Sequence, residues 1–138
     1  MPFVLDTSVT MSWCFADEST PYTRNVLASL LDTYAEVPAL WTFEVANVLA
    51  VNERRKRITS TISDEFMRTL ASLDIRVEQA APPIDGTTLL PLARRYGLTA
   101  YDAAYLELAK RRGLPLATLD TDLLLAAPQE GVALVGQT

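Results

Sequence analysis

Short apolar runs alternate with stretches of helical periodicity along the whole chain. The run Phe3-Val4-Leu5 is typical of a buried strand, and Asp6-Thr7-Ser8 directly after it favours the start of a helix. Further short runs predict strands at residues 36–38, 76–78, 116–118 and 132–135. The pattern therefore predicts about five short strands.

Helical spacing fills the segments between these runs. One face of the second predicted helix carries Val26, Leu27 and Leu30, and Ser63 is expected to cap the fourth helix. The predicted helices cover about residues 9–16, 22–34, 40–57, 63–73, 85–96, 99–112 and 121–127. This alternation predicts an α/β fold with a mostly parallel sheet that helices cover on both faces. Since no linker, repeat or low-complexity tract interrupts the pattern, residues 1–138 are expected to form one domain.

Composition is that of a compact protein rather than a disordered or membrane-spanning one. Hydrophobic residues make up 49% of the 138 residues and charged residues 21%. No apolar run approaches the roughly 20 residues that span a bilayer, and the start lacks the basic segment of a signal peptide. Cys14 is the only cysteine, which excludes an internal disulfide and favours a reducing, cytoplasmic location.

The charged residues limit the possible chemistry. The chain has no histidine, which excludes the usual zinc sites and the Ser-His-Asp triad. A net charge of −5 and a pI near 4.6 disfavour nucleic acid, although clustered acids with a bound cation would reverse the local sign. Basic groups at 54–57 and 110–112 fit either the ends of helices or contacts with phosphate.

Four acidic residues carry the most specific chemical information, and we call them the acid cluster: Asp6, Glu44, Asp102 and Asp120. Asp6 and Asp120 follow predicted strands, and Asp102 lies in the first turn of a predicted helix. Because ligands bind at the carboxyl edge of parallel sheets, we expect the acid cluster at that edge. Carboxylates repel one another, so such a cluster indicates a bound cation such as Mg²⁺, which prefers oxygen ligands.

Taken singly, several of these acids also have a structural explanation. Asp6 is a good helix cap, and Asp102 stands three residues after Thr99, which is the spacing of a capping box. Asp120 suits a turn or a cap, and Asp122 suits the first turn of the last helix. These alternatives remain open for each residue on its own.

Glu44 is harder to explain by local structure. Its helical neighbours Trp41, Val45 and Val48 are apolar and pull it towards the interior, where a carboxylate needs a partner. Asn47, one turn further on, shares that side of the helix and either bonds to the site or packs at its edge. Glu44 therefore favours a functional site.

Four segments around the acids resemble the motifs of PIN-domain nucleases, and their order, spacing and chain length are closest to VapC-type toxins. The segments are Val4-Leu5-Asp6-Thr7-Ser8-Val9, Phe43-Glu44-Val45-Ala46-Asn47-Val48-Leu49, Leu98-Thr99-Ala100-Tyr101-Asp102-Ala103-Ala104-Tyr105 and Leu116-Ala117-Thr118-Leu119-Asp120. Each motif alone is weak, but all four in this order make a specific combination. The resemblance covers nearly the whole chain.

The resemblance implies a three-layer α/β/α sandwich around a mostly parallel sheet of about five strands. It implies an endoribonuclease that depends on Mg²⁺ or Mn²⁺, with the acid cluster holding the metal directly or through water. Candidate residues of the surrounding shell are Thr7, Ser8, Asn47, Thr118 and Asp122. A metal ion supplies an activated water for phosphodiester hydrolysis, and a carboxylate can accept the proton, so histidine is not required.

The expected partners are an RNA substrate, a cognate VapB-type antitoxin and a second copy of the chain in a homodimer, with no membrane. An RNA-processing nuclease without a toxin role, or a PIN-like module that only binds RNA or protein, is the alternative. Receiver domains are disfavoured because Leu5, not a second acid, precedes Asp6 and residues 76–80 contain no phosphoacceptor Asp. Haloacid-dehalogenase phosphatases are disfavoured because Asp6-Thr7-Ser8 lacks the second acid of their Asp-x-Asp motif.

Overall fold

The computed structural model describes residues 1–79 and 84–136 of the chain. Within these ranges strands and helices follow one another in the predicted order. The strands are β1 (Phe3–Leu5), β2 (Ala35–Val37), β3 (Ile75–Val77) and β4 (Leu116–Ala117). The helices are α1 (Thr7–Ser12), α2 (Pro21–Ser29), α3 (Leu40–Arg54), α4 (Ser60–Ser72), α5 (Gly86–Tyr96), α6 (Ala100–Arg112) and α7 (Thr121–Gln129).

The sheet has the order β3-β2-β1-β4, and all of its strand pairs are parallel. The chain builds outward from β1 through β2 to β3 and then returns to place β4 on the other side of β1. The strand order therefore switches between β1 and β4. This confirms the predicted α/β fold with a parallel sheet flanked by helices.

The strand predicted at residues 132–135 is reduced to a single bridge. Leu134 pairs with Leu116, and the Leu116 N–H donates to the carbonyl of Ala133 at 2.9 Å. Because β4 itself is only two residues long, a neighbouring segment finds little strand to pair with. The described sheet thus has four strands rather than about five.

Two helix boundaries differ from the prediction for identifiable reasons. Ser63 does not cap α4: the cap is Thr59, whose hydroxyl accepts the N–H of Ile62 at 3.3 Å. Ser63 is instead buried inside the helix, and its hydroxyl has no partner among the described residues. Helix α3 ends at Arg54, before the predicted residue 57, because Lys56 takes a left-handed conformation with φ of 59° that a helix cannot contain.

The central strand and α6 form the middle of the hydrophobic core. All three residues of β1 are buried, as are Leu106 and Leu108 on α6. Aromatic residues near the first helices belong to the same core: Phe15 is buried, and Trp13 Nε1 donates to the carbonyl of Thr23 at 2.8 Å. Across residues 1–79 and 84–136, no helix has the length and apolar character needed to cross a bilayer.

The basic group at the end of α6 makes ion pairs rather than an open cationic surface. Lys110 pairs with Glu130, and Arg112 pairs with Glu36 at 2.8 Å. Arg111 pairs with Glu78 and Glu107. For this group the structure supports the interpretation as cations at a helix C-terminus.

Glu130 connects the last three helices. Its side chain is 5% exposed and accepts hydrogen bonds from Arg95 at 2.9 Å, from the Tyr96 hydroxyl at 2.5 Å and from Lys110 at 2.5 Å. The bond from Lys110, with those from the other two donors, lowers the pKa of Glu130 to about 2. Glu130 is therefore a structural carboxylate rather than part of a reactive site.

Glu130→Gln is expected to lower the free energy of unfolding by about 1–2 kcal/mol at pH 7, a value reduced for the solvent exposure of its cationic partners. Because the pKa of Glu130 is depressed in the folded state from 4.5, its contribution is present above pH 4.5 and is lost as the pH falls towards 2. Urea unfolding at pH 7 and pH 3 should show the difference from wild type shrinking at the lower pH. Glu65→Gln, at an exposed position of α4, is the control, and an equal loss in both variants would contradict the prediction.

Candidate active site

Asp6 lies where β1 ends and β4 passes beside it. Its N–H donates to the carbonyl of Ala117, the last residue of β4, at 3.0 Å. The residue therefore stands at the switch in strand order between β1 and β4. In open α/β sheets this crevice, outside the carboxyl ends of the strands, is where ligands bind.

The Asp6 side chain is held by two hydroxyl groups. Its Oδ2 accepts from Ser8 Oγ at 2.6 Å and from Thr118 Oγ1 at 2.8 Å. These hydroxyls in turn accept the N–H groups of Leu119 and Asp120, each at 3.0 Å. Although Asp6 occupies the cap position of α1, its side chain makes no cap bond, so capping does not explain this acid.

Burial and neighbouring charge both act on Asp6. Burial is the larger cause and raises the pKa of Asp6, whereas the hydrogen bonds from Ser8 and Thr118 lower it. The negative charges of Glu44 and Asp120 raise the pKa of Asp6 further. Asp6 is therefore within electrostatic reach of residues 38 and 114 positions away, as the parallel sheet predicts.

Glu44 is partly buried one turn from the start of α3. Its Oε1 accepts from the Thr7 hydroxyl at 3.0 Å and from the Tyr105 hydroxyl at 2.5 Å. The partner that a carboxylate needs at this position is therefore present. Asn47 is exposed, and no hydrogen bond joins it to the acid cluster in the described part of the chain.

Asp102 lies in the first turn of α6. Its N–H donates to the Thr99 hydroxyl at 3.1 Å, so Thr99 caps the helix as expected. Burial, followed by the charges of Asp120 and Asp6, raises the pKa of Asp102 to about 6, with Glu44 adding to the shift and Thr99 opposing it. The structure thus brings the other three acids of the cluster within electrostatic reach of both Asp6 and Asp102.

Asp120 combines its place in the cluster with a structural role. Its Oδ2 accepts the N–H of Leu123 at 2.9 Å, which caps α7. Asp122 is exposed in the first turn of the same helix, and no described hydrogen bond links it to the cluster. Asp122 therefore fits its interpretation as a first-turn acid.

Three acids of the cluster share one arrangement. A single oxygen of each carboxylate (Asp6 Oδ2, Glu44 Oε1 and Asp120 Oδ2) accepts bonds from the protein, and the second oxygen has no protein donor in the described ranges. No acid of the cluster pairs with a Lys or Arg there, whereas seven carboxylates elsewhere do: Asp17, Glu18, Glu36, Asp74, Glu78, Glu107 and Glu130. Within the described part of the chain, no cationic side chain offsets the negative charge of the cluster.

The donor chemistry of the cluster fits a hard divalent cation. Carboxylate oxygens without protein donors are the ligands such ions prefer, and a cation would offset the repulsion that raises the pKa of Asp102. Among residues 1–79 and 84–136, however, no group of three or more acidic, His or Cys side chains is already arranged to hold an ion directly. Mg²⁺ commonly keeps several of its water ligands, so this looser set suits an ion bound partly through water.

Tyr105 belongs to the site, although the sequence pattern did not single it out as a site residue. It is fully buried on α6, and its hydroxyl lies 2.5 Å from Glu44 Oε1 and 2.6 Å from Thr7 Oγ1. Two signals were available. Tyr105 stands three residues after Asp102, on the same helix face, and a buried tyrosine hydroxyl usually needs a partner.

Comparison with known proteins identifies a family and several similar folds. Residues 3–127 match the family model of the PIN domain, and no curated protein matches the chain significantly in sequence. The fold is similar to that of PAE2754 from Pyrobaculum aerophilum, with a TM-score of 0.71 and 20% identity over 91% of this chain and 84% of that one. It is also similar to VapBC2 from Rickettsia felis bound to a promoter DNA fragment (TM-score 0.67, 12% identity, 97% of each chain). FitAcB from Neisseria gonorrhoeae matches with a TM-score of 0.63 and 19% identity, over 97% of this chain and 96% of that one.

The matched segment covers most of the chain and includes the whole acid cluster. The fold similarities are at low sequence identity, and they agree with the parallel sheet and its flanking helices. The resemblance of the four acidic motifs to PIN domains is confirmed. The chain belongs to the PIN domain family, whose members are nucleases that generally use divalent metal ions.

Proposed function

We propose that this protein is an Mg²⁺- or Mn²⁺-dependent endoribonuclease that acts as the toxin of a toxin–antitoxin pair and is inhibited by its cognate antitoxin. Membership of the PIN domain family supports the nuclease activity. Similarity in fold to VapBC2 supports the VapC-type assignment and an antitoxin partner. The resemblance of the acidic motifs to VapC-type toxins supports RNA as the substrate.

The uncompensated acid cluster is the observation that carries this proposal. A structural role does not require four acids to share one crevice without a basic partner, because their repulsion opposes folding. The cluster also lies at the switch in strand order, where α/β sheets bind ligands. Metal-dependent hydrolysis explains both the position and the charge.

The residues of the site have different proposed roles. Asp6, Glu44, Asp102 and Asp120 would hold the metal, directly or through water, and present oxygens towards the substrate. Ser8 and Thr118 hold Asp6, so its carboxylate keeps a defined orientation. A bound divalent metal supplies an activated water and neutralises charge on the scissile phosphate. A carboxylate oxygen without a protein donor can accept the proton released, which accounts for catalysis without histidine.

Metal dependence is the direct test of this proposal. The purified protein, stripped with EDTA, is expected to leave single-stranded RNA intact and to cleave it on titration with Mn²⁺ or Mg²⁺. Cleavage should be absent in buffer that contains neither Mg²⁺ nor Mn²⁺ and should return when either metal is added. Gel analysis of an end-labelled RNA measures the products, and single-stranded DNA of the same sequence tests the choice of substrate.

A module that only binds RNA or protein gives a different result. It would bind RNA in a gel-shift assay yet show no cleavage at any concentration of Mn²⁺ or Mg²⁺. Metal-independent cleavage would indicate a contaminating nuclease. A variant with a substitution in the acid cluster, purified in the same way, would then show the same cleavage. Cleavage of DNA but not RNA would contradict the substrate that we propose.

The toxin role needs a separate test in cells. Expression of the chain is expected to arrest growth, and coexpression of a small neighbouring gene that encodes a DNA-binding antitoxin is expected to restore it. The two products should then copurify, and light scattering on the isolated chain tests the homodimer expected from the sequence. RNA cleavage without growth arrest would favour an RNA-processing nuclease instead.

A further inference from the structure

Tyr105 brings a hydroxyl from the buried side of α6 to the acid cluster. Its side chain is fully buried, yet the hydroxyl contacts Glu44 on α3 and Thr7 on α1 at 2.5 and 2.6 Å. These residues are separated from Tyr105 by 61 and 98 positions in the chain. The contact therefore exists only because three helices meet at the carboxyl edge of the sheet.

Packing alone does not account for the hydroxyl. A phenylalanine ring would fill the same space, and a buried hydroxyl is costly unless it is hydrogen-bonded. Both described partners of this hydroxyl, Thr7 and Glu44, lie at the site rather than in the hydrophobic core. The polar atom of Tyr105 thus serves the carboxylate of Glu44.

The number of protons shows how the three groups are bonded. Thr7 and Tyr105 each bring one hydroxyl proton, whereas the Glu44 carboxylate only accepts. Two protons can serve only two of the three short contacts, and in every such arrangement Oε1 of Glu44 is the final acceptor. A tyrosine hydroxyl is protonated near neutral pH, so that of Tyr105 can act as a donor.

We infer that Tyr105 is a positioning residue: with Thr7 it holds Oε1 of Glu44 and leaves Oε2 to face the metal and the substrate. This inference rests on the proposed metal-dependent function. Donors that fix a metal-ligating carboxylate from behind typically contribute about 10–100-fold in metal affinity or activity. The same magnitude is expected here.

Tyr105→Phe tests the inference, with Tyr101→Phe as the matched control on the same helix. Tyr101 is 66% exposed and lies one helical turn before Tyr105, so its variant also removes one phenolic hydroxyl. Electron paramagnetic resonance of Mn²⁺ without RNA should show about 10-fold weaker binding to Tyr105→Phe and unchanged binding to the control. At saturating RNA, kcat should fall about 10-fold or more while KM stays within about twofold.

The outcomes separate positioning from packing. A folded Tyr105→Phe protein that binds Mn²⁺ as wild type does and keeps its kcat overturns the inference, even if its Tm has changed. If Tyr105→Phe does not fold, Tyr105→Met also removes the hydroxyl while keeping an apolar side chain, and wild-type Mn²⁺ binding by that folded variant overturns the inference equally. Wild-type protein that binds Mn²⁺ but cleaves no RNA overturns the proposed function alone, because the Mn²⁺ comparison still tests Tyr105. Wild-type protein that binds no Mn²⁺ overturns both.

Discussion

Asp6→Asn is expected to lower RNA cleavage by about 100-fold or more while leaving the fold intact, since a lost ligand costs more than a lost outer partner. The asparagine oxygen can still accept from Ser8 and Thr118, which hold Asp6 Oδ2 at 2.6 and 2.8 Å. Burial raises the pKa of Asp6, which means that its negative charge is unfavourable in the folded state, and the substitution removes that charge. Activity is therefore expected to fall without a loss of stability.

Cleavage rates at matched Mn²⁺ concentration measure this effect, and circular dichroism with thermal melting checks the fold. Asp64→Asn, an exposed acid on α4, is the control and should cleave as wild type does. A folded Asp6→Asn protein with full activity would remove Asp6 from the site.

Asp102→Asn is expected to stabilise the metal-free protein by about 1 kcal/mol at pH 7, which raises Tm by about 3 °C, and to abolish cleavage. The pKa of Asp102 is raised from 3.8 to about 6 by burial and by the charges of Asp120 and Asp6. The full shift would correspond to about 3 kcal/mol, but the side chain is only partly buried, so solvent screening reduces it. Asp102→Asn also removes the favourable interaction of an acid with the N-terminus of α6, which reduces the expected stabilisation by a further ~0.3–1 kcal/mol.

The stability difference between Asp102→Asn and wild type is expected to depend on pH. Because the folded state binds the Asp102 proton more tightly than the unfolded state, wild-type stability falls as the pH rises from about 4 to 6. The advantage of Asp102→Asn should therefore be present at pH 7 and disappear near pH 4. Thermal melts at both values in EDTA measure it, with Asp64→Asn as control. A variant that is less stable than wild type at pH 7 would contradict the repulsion that we assign to the cluster.

Local signals in the sequence predicted the helices and strands well where a single signal, such as an apolar run or one capping residue, marks the boundary. Asp6 and Asp120 were placed after strands because short apolar runs precede them, and Thr99 was expected to cap α6, as it does. Prediction failed where two residues compete for one role. Thr59 and Ser63 are both suitable caps, and burial of Ser63 against the core, which depends on the fold, decided in favour of Thr59.

The structural explanations of the acids could be decided only by contacts between distant residues. Asp6 had a good explanation as a cap, but its side chain turns to Ser8 and Thr118 instead. Asp120, by contrast, does cap its helix while it also acts on the pKa of Asp6 and Asp102. Local propensity is the same in both cases, so the parallel pairing of β1 with β4 made the difference.

The sequence by itself determined the α/β class, the order of the elements and the four acids, because periodicity and residue type act locally. Only the tertiary structure decided which oxygen of each acid the protein binds and that Tyr105 reaches Glu44. It also reduced the last predicted strand to a bridge at Leu134. These outcomes depend on how helices and strands far apart in the chain come together, and burial and charge repulsion act only once they have met.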